Sequence, residues 1–311
     1  MKVVITGAAG FLGSYFVRAF RDEPDVSLWA VDRAGGVRKD LYGDDVRWLP
    51  GDLCSMSFCR EVVSDADVIL HLAQSNFPLD SAKDFAGDIM SSMLPSANLL
   101  QAMVEVGNKP HLIFASSGGA IYGDSNSEKL FSEDELCMPR SAYGIQKLMM
   151  EHYIRLLAER NLITGCILRI TNAYGTILPE HRRQGLIGVA MARLMARKPI
   201  TIFGSLANVR DYVHLQDVFE AIRRCLRRRE QYEVFNIGTG IGTSVAEVLA
   251  TLERVTGITP VIDSAASEDA SRLVGRCVVN PEKAFEVLSW RATIDLEQGI
   301  RRMYEEWLQT Q

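Results

Sequence analysis

The segment that most constrains this chain is its opening. A short apolar strand over residues 2–6 (KVVIT) runs into Gly7-Ala8-Ala9-Gly10-Phe11-Leu12-Gly13, and a helical pattern follows over about 11–22. The three glycines fall at spacing three and three. Gly7 permits a tight turn out of the strand, and Gly10 lets the backbone approach a pyrophosphate without a Cβ clash. Gly13 lets helix and strand pack closely, and the helix N-terminus faces the phosphates. A glycine-rich turn alone is a weak signal. Here the next strand, Ser27–Val31, ends at Asp32, 19 residues after Gly13, where a carboxylate can accept hydrogen bonds from both ribose hydroxyls of a dinucleotide. A 2′-phosphate would meet the charge of Asp32, which favours NAD over NADP. The neighbouring Arg33, able to hold such a phosphate, pulls the other way.

Further apolar strands are expected at about 46–49, 68–72, 112–115 and 165–170, with helical patterns over 83–106 and 143–160 between them. Near-continuous apolar strands alternating with helices predict a doubly wound parallel sheet covered on both faces. Pro95 kinks the helix over 83–106 or marks its late start. After residue 171 the alternation weakens. Pro179, Pro199 and several glycines surround a helix at about 186–197, further helices follow near 244–256, 281–289 and 295–308, and the chain returns to the sheet near 234–238. The expected organisation is a Rossmann-type α/β domain over 1–171, with return segments near 210–240, and a smaller C-terminal, mainly substrate-binding lobe over 172–311. The basic run Arg223, Arg224, Arg227, Arg228 and Arg229 reads as the solvated end of a helix, favoured by the helix dipole.

Composition narrows the partners. A formal net charge of −5 argues against nucleic-acid binding, so an anionic substrate needs a local arginine pocket. The six cysteines show no CxxC pair and no zinc spacing, and read as reduced thiols with no metal site. The first residues pass straight into a strand without the apolar region of a signal peptide, and no apolar run reaches the ~20 residues of a membrane span. A cytoplasmic protein with no membrane partner is expected.

A second constellation carries reactivity. Tyr143-Gly144-Ile145-Gln146-Lys147 puts a tyrosine and a lysine at i and i+4, on one face of a helix. A phenol with a reference pKa of ~10 is a poor base at neutral pH. An ammonium one turn away favours the phenolate, and lowering the pKa by ~3 units corresponds to roughly 4 kcal/mol. The phenolate can then take a hydroxyl proton while hydride leaves for the cofactor. That spacing also recurs by chance on exposed helices. What sets it apart here is Phe114-Ala115-Ser116-Ser117-Gly118-Gly119-Ala120-Ile121-Tyr122-Gly123, which closes a strand at the carboxyl edge where ligands of such sheets bind. Ser116 or Ser117 can donate to the same substrate oxygen.

Together the glycine turn, Asp32, Asp52-Leu53, His71-Leu72-Ala73, SSGGAIYG, YGIQK, Leu168–Gly175 and Arg210-Asp211-Tyr212-Val213-His214 resemble the extended short-chain dehydrogenases/reductases. Within them the chain is most similar to the NAD-dependent nucleotide-sugar epimerase/dehydratase family, and there to the UDP-glucose (UDP-galactose) 4-epimerases. The resemblance covers nearly the whole chain, including Lys283-Ala284 and Leu288-Ser289-Trp290. It implies NAD held by Gly7, Gly10, Phe11, Leu12, Gly13, Asp32, Arg33, Asp52, Leu53, Leu72, Ala73, Gln74, Ser92, Ala115 and Ser116, together with Tyr143 and Lys147. Asp52 reads alternatively as a turn residue after Pro50-Gly51. The resemblance further implies a UDP-sugar substrate contacted by Ser117, Gly118, Asn172, Gln184, Leu186 and Arg210, with Arg272 or Arg276 as a second phosphate contact. It implies Ser117, Tyr143 and Lys147 as the catalytic set, and a homodimer built on the helices near 90–106 and 143–160.

Three departures stand out. Gly118 occupies the position where many relatives carry the catalytic serine or threonine, which passes the role to Ser117. Ser92 replaces a cofactor-contacting asparagine, and Gln146 replaces the serine of YxxSK. Gly119 and Ala120 fall where related dehydratases keep an Asp-Glu pair, and neither can transfer a proton, which argues against dehydration. The implied reaction is inversion at C4 through a 4-keto sugar. An NAD(P)H-dependent nucleotide-sugar ketoreductase needs only the same serine, tyrosine and lysine and is the rival. A non-catalytic dinucleotide-binding module usually lacks the tyrosine or lysine kept here. The sugar and the nucleotide base stay open.

Overall fold

The run Val3-Val4-Ile5 has no solvent exposure, as a strand covered on both faces requires. In the computed structural model it forms β1 (Lys2–Thr6), followed by β2 (Ser27–Asp32), β3 (Arg47–Pro50), β4 (Val68–His71), β5 (His111–Ser117) and β6 (Thr164–Ile170). The later strands are β7 (Asn172–Tyr174), β8 (Ile200–Phe203), β9 (Val209–His214), β10 (Tyr232–Ile237), β11 (Gly242–Ser244), β12 (Ile262–Ala265) and β13 (Arg276–Cys277). The structure describes residues 1–33, 35, 45–75, 84–125, 128–182, 184–228, 232–265 and 274–309.

The central sheet has the order β10-β6-β5-β4-β1-β2-β3. β1 pairs in parallel with β2 and with β4, β2 with β3, and β4 with β5. The order therefore reverses between β1 and β4, and the carboxyl ends of these strands, Thr6 and His71, meet in register at the switch point where such sheets bind ligands. This is the doubly wound Rossmann-type arrangement expected.

The chain divides into two compact units. The first comprises Met1–Ser116, Ser141–Leu168 and Ile222–Phe235; the second comprises Ser117–Arg140, Arg169–Ala221 and Asn236–Gln311. The first unit's core packs strand residues Val4, Ile69 and Leu112 with helix residues Leu99, Met103 and Ile154. In the second, β9 pairs in parallel with β7 and β13 and antiparallel with β11, over a core that includes Tyr174, Met191, Leu249 and Ile300.

The helix expected over 83–106 runs without a gap from Phe85 to Val106 and changes pitch just before Pro95. A turn of helix, Phe85–Asp88, passes through a wider π segment, Ile89–Met93, into the α-helix Leu94–Val106, with Pro95 in its first turn. Proline lacks the N–H that an uninterrupted helix needs there, and the π segment absorbs the mismatch. Among the described residues no helix is long and apolar enough to cross a membrane.

Candidate active site

The glycine turn has the geometry its spacing predicts. Gly7 sits at φ +72°, and a Cβ there would lie 2.7 Å from the Ala73 nitrogen. The Gly10 N–H donates to the Gly7 carbonyl (3.0 Å), and a Cβ on Gly13 would lie 2.7 Å from the Ala8 Cα. The helix Phe11–Phe20 begins after Gly10 with no side-chain cap and no acidic residue in its first turn, so its N-terminal field is left for an anion. Phe11 and Leu12 are half-buried in that turn.

Asp32 is half-buried at the end of β2. One carboxylate oxygen accepts the Ala9 N–H and the other the Arg33 N–H, each at 2.8 Å. A carboxylate has about four acceptor positions, so lone pairs remain for two ribose hydroxyls. Arg33 is exposed. Asp52 closes the turn after β3 by accepting the Cys54 N–H (2.8 Å), while the Leu53 side chain is buried in the core. Leu72, Ala73 and Gln74 follow β4 and are half-buried. Gln74 Nε2 donates to Gln146 Oε1 at 3.2 Å, so the glutamine that departs from the usual serine reaches across to a second one. Ser92, inside the π segment, is 3% exposed and its hydroxyl has no hydrogen-bond partner among the described residues. A cradle that a Cβ would fill, a carboxylate with spare lone pairs and an orphaned buried hydroxyl, all in the first unit, fit a bound dinucleotide.

The reactive pair lies in the same unit, on the helix Ala142–Glu159. Ser141 caps that helix by accepting the Gly144 N–H at 3.1 Å. Lys147 is 3% exposed. Its Nζ donates to the Ala115 carbonyl (2.8 Å) and stands 5.7 Å from the centroid of the half-buried Tyr143 ring and 4.8 Å from that of Phe114. Burial pulls the lysine down to about 7, opposed by the carboxylate of Glu151. Ser116 is buried, and its hydroxyl donates to Glu151 in a short hydrogen bond.

In the second unit, the Gly118 N–H donates to the Ile170 carbonyl (2.8 Å) and its carbonyl accepts the Cys277 thiol (3.2 Å). A Cβ at 118 would lie 2.8 Å from the Arg169 carbonyl oxygen. Ser117 is half-buried, and its hydroxyl makes no hydrogen bond to a described residue. Asn172 is half-buried and donates to the Asp211 carbonyl (3.0 Å). Leu186 opens the helix Leu186–Met195 and packs on the second core, with Gln184 exposed just before it. Arg210 donates to the carbonyls of Val274, Val209 (2.9 Å) and Gly275 (3.2 Å). The Arg276 Nε is buried with no partner among the described residues, while the backbone N–H of Arg276 donates to Asp124 (2.9 Å). Arg272 lies outside the described residues.

Two groups in the first unit escaped sequence reasoning. Glu151 has a signal that could have found it, the i+4 spacing from Lys147. His71 was part of a quoted motif, but its hydrogen bonds to Thr6 (2.6 Å) and Ser96 (2.9 Å) are visible only in the fold.

The model of the NAD dependent epimerase/dehydratase family matches residues 3–238. A dTDP-4-dehydro-6-deoxyglucose reductase of Escherichia coli is 28% identical over 309 residues, covering 97% of this chain and 96% of the relative. The UDP-glucose 4-epimerase of Thermotoga maritima, solved with UDP-glucose, superposes with a TM-score of 0.89 at 29% identity, covering 100% of this chain and 99% of that one. The UDP-glucose 4-epimerase of Thermus thermophilus, solved with NAD, gives 0.88 at 27% identity and covers 99% of each chain.

Proposed function

The chain belongs to the NAD dependent epimerase/dehydratase family, and we propose that within it the protein inverts C4 of a UDP-hexose through a 4-keto sugar, with Tyr143 as the base. It is an NAD-dependent enzyme. Bound NAD supplies a hydride acceptor that returns what it takes, so the net reaction needs no outside oxidant. Asp32 and the glycine turn hold the cofactor's adenosine ribose and pyrophosphate. Tyr143 takes the proton of the C4 hydroxyl, Lys147 stabilises the phenolate, and Ser117 donates to the same oxygen. The keto sugar would then have to turn over in place to present its other face. Asn172, Gln184, Leu186 and Arg210, with Arg272 or Arg276 as a second phosphate contact, hold the nucleotide sugar.

The observation that carries this reading is Lys147 Nζ at 5.7 Å from the Tyr143 ring, in the unit that also holds the Gly7 turn and Asp32. Gly119 and Ala120 offer no acid or base for a dehydration. The reductase reading has its own support in the Escherichia coli relative, similar along nearly its whole length. Purified protein given UDP-glucose or UDP-galactose, with no added cofactor, separates the two. Interconversion supports the epimerase, and stoichiometric consumption of NAD(P)H with a keto-sugar nucleotide supports the reductase.

The proposed homodimer uses the helix Ala142–Glu159 and the helical segment near 90–106. Ile145 (54% exposed), Met149 (38%), Tyr153 (51%) and Leu156 (40%) form one apolar stripe on the first, and Met90 is exposed at the start of the second, with Phe85 and Ile89 exposed just before it. Exposed apolar side chains of this number favour association.

A further inference from the structure

Glu151 is 2% exposed, as thoroughly buried as Lys147 one helical turn before it. The two side chains grip consecutive residues of β5. Lys147 donates to the Ala115 carbonyl at 2.8 Å, and Glu151 accepts the hydroxyl of Ser116. Among the described residues, the other groups close to the ammonium are neutral in the resting protein. The Phe114 and Tyr143 rings stand at 4.8 and 5.7 Å. His71, on β4, is held neutral, its pKa pulled to about 3 by burial and then by the charge of Lys147. Gln146 is engaged with Gln74. Among the described residues, Glu151 is the counter-charge that acts on Lys147. An ammonium buried without such a partner sheds its proton, and a neutral amine cannot stabilise a phenolate.

We propose that Glu151 is a positioning residue of the tyrosine–lysine pair. Its carboxylate keeps the Lys147 ammonium charged within the unit and, through Ser116, anchors the strand end whose Ala115 carbonyl aims that ammonium. This rests on the reading in which Lys147 stabilises the Tyr143 phenolate. It also removes Ser116 as a donor to substrate, because its single hydroxyl hydrogen is committed to Glu151.

Glu151→Gln keeps the size and the acceptor for Ser116 but removes the charge. In the NAD-loaded protein labelled at lysine Cε, with the Lys147 resonance assigned through Lys147→Arg, this variant should move the lysine's titration midpoint lower by about one pH unit. Glu151→Asp should move it by less, and stands in if the glutamine variant fails to fold. The acid limb of kcat/KM should move to higher pH in step, because losing the ammonium makes the phenolate harder to form; a merely structural role would lower the rate at every pH. An unmoved Lys147 midpoint in folded Glu151→Gln or Glu151→Asp overturns the proposal. Full activity in Tyr143→Phe would overturn the underlying reading instead, and leaves the resonance measurement to judge Glu151 by itself.

Discussion

The Nδ1 of His71 lies 2.6 Å from the Thr6 hydroxyl, joining the carboxyl ends of β4 and β1 behind the glycine turn. Ser96 gives its hydroxyl hydrogen to the Ser92 carbonyl (3.1 Å), so it accepts from the ring Nε2–H at 2.9 Å, and Nδ1 accepts from Thr6. The neutral ring is therefore held as the Nε2–H tautomer, and protonating Nδ1 would require the Thr6 hydroxyl to turn from donor to acceptor. Burial holds its pKa at about 3.

Acid stability follows with a definite sign. The unfolded chain takes up a proton on this histidine near its ordinary value of 6.5, whereas the folded chain refuses it down to about 3. Stability is therefore lost as pH falls between those values. Between pH 7 and pH 5 the loss due to His71 is ~2 kcal/mol. Urea titrations should show the native protein losing that much more than His71→Gln over the same interval. Equal losses would mean the ring is not held neutral.

Adjacent serines should behave oppositely. The Ser116 hydroxyl is committed to Glu151, while that of Ser117 makes no hydrogen bond to a described residue. Ser117→Ala should lower kcat by about a hundredfold, as loss of a donor to the reacting oxygen does. Ser116→Ala should keep kcat within about tenfold at its optimum pH. A reversed order in steady-state kinetics would reassign the donor.

Restoring a hydroxyl where many relatives carry it should fail. A Cβ at Gly118 would meet the Arg169 carbonyl at 2.8 Å and Val279 Cγ1 at 3.2 Å. Gly118→Ser should lower stability by about 1–3 kcal/mol and leave a Ser117→Ala background unrescued. Thermal melts and kinetics of the double variant check both halves.

The ribose contact proposed for Asp32 carries a prediction about cofactor choice. A 2′-phosphate beside it places like charges together at a cost of several kcal/mol, so cofactor-free protein should bind NAD at least about a hundredfold more tightly than NADP. Asp32→Ser should collapse most of that ratio. Calorimetric titration with the two cofactors measures it directly, and a ratio near one in the native protein would show Arg33 outweighing Asp32.

What was legible from the residues is what backbone sterics and periodicity dictate. Gly7 at φ +72° is readable because few other residues adopt that conformation, and the apolar β1, β4 and β5 because burial on both faces leaves no polar positions. Tyr143 and Lys147 were readable because one helix fixes their spacing. The helix Met56–Val63 was not foreseen; only Cys59, Val62 and Val63 of its eight residues are buried, too short a period to see. The short strands β7, β11 and β13 escaped for a related reason, since their pairing with β9 comes from contacts remote in sequence. That Ser116 rather than Ser117 has its hydroxyl engaged depends on Glu151, 35 residues away along the chain from Ser116.

The central claim is that C4 loses and regains the same hydride while Tyr143 manages the hydroxyl proton. UDP-glucose carrying deuterium at C4, incubated with purified protein and no added cofactor, tests it by mass spectrometry of the product. The account predicts UDP-galactose that retains the deuterium, and none formed by Tyr143→Phe. Deuterium washed out to solvent, or undiminished conversion by Tyr143→Phe, would contradict it.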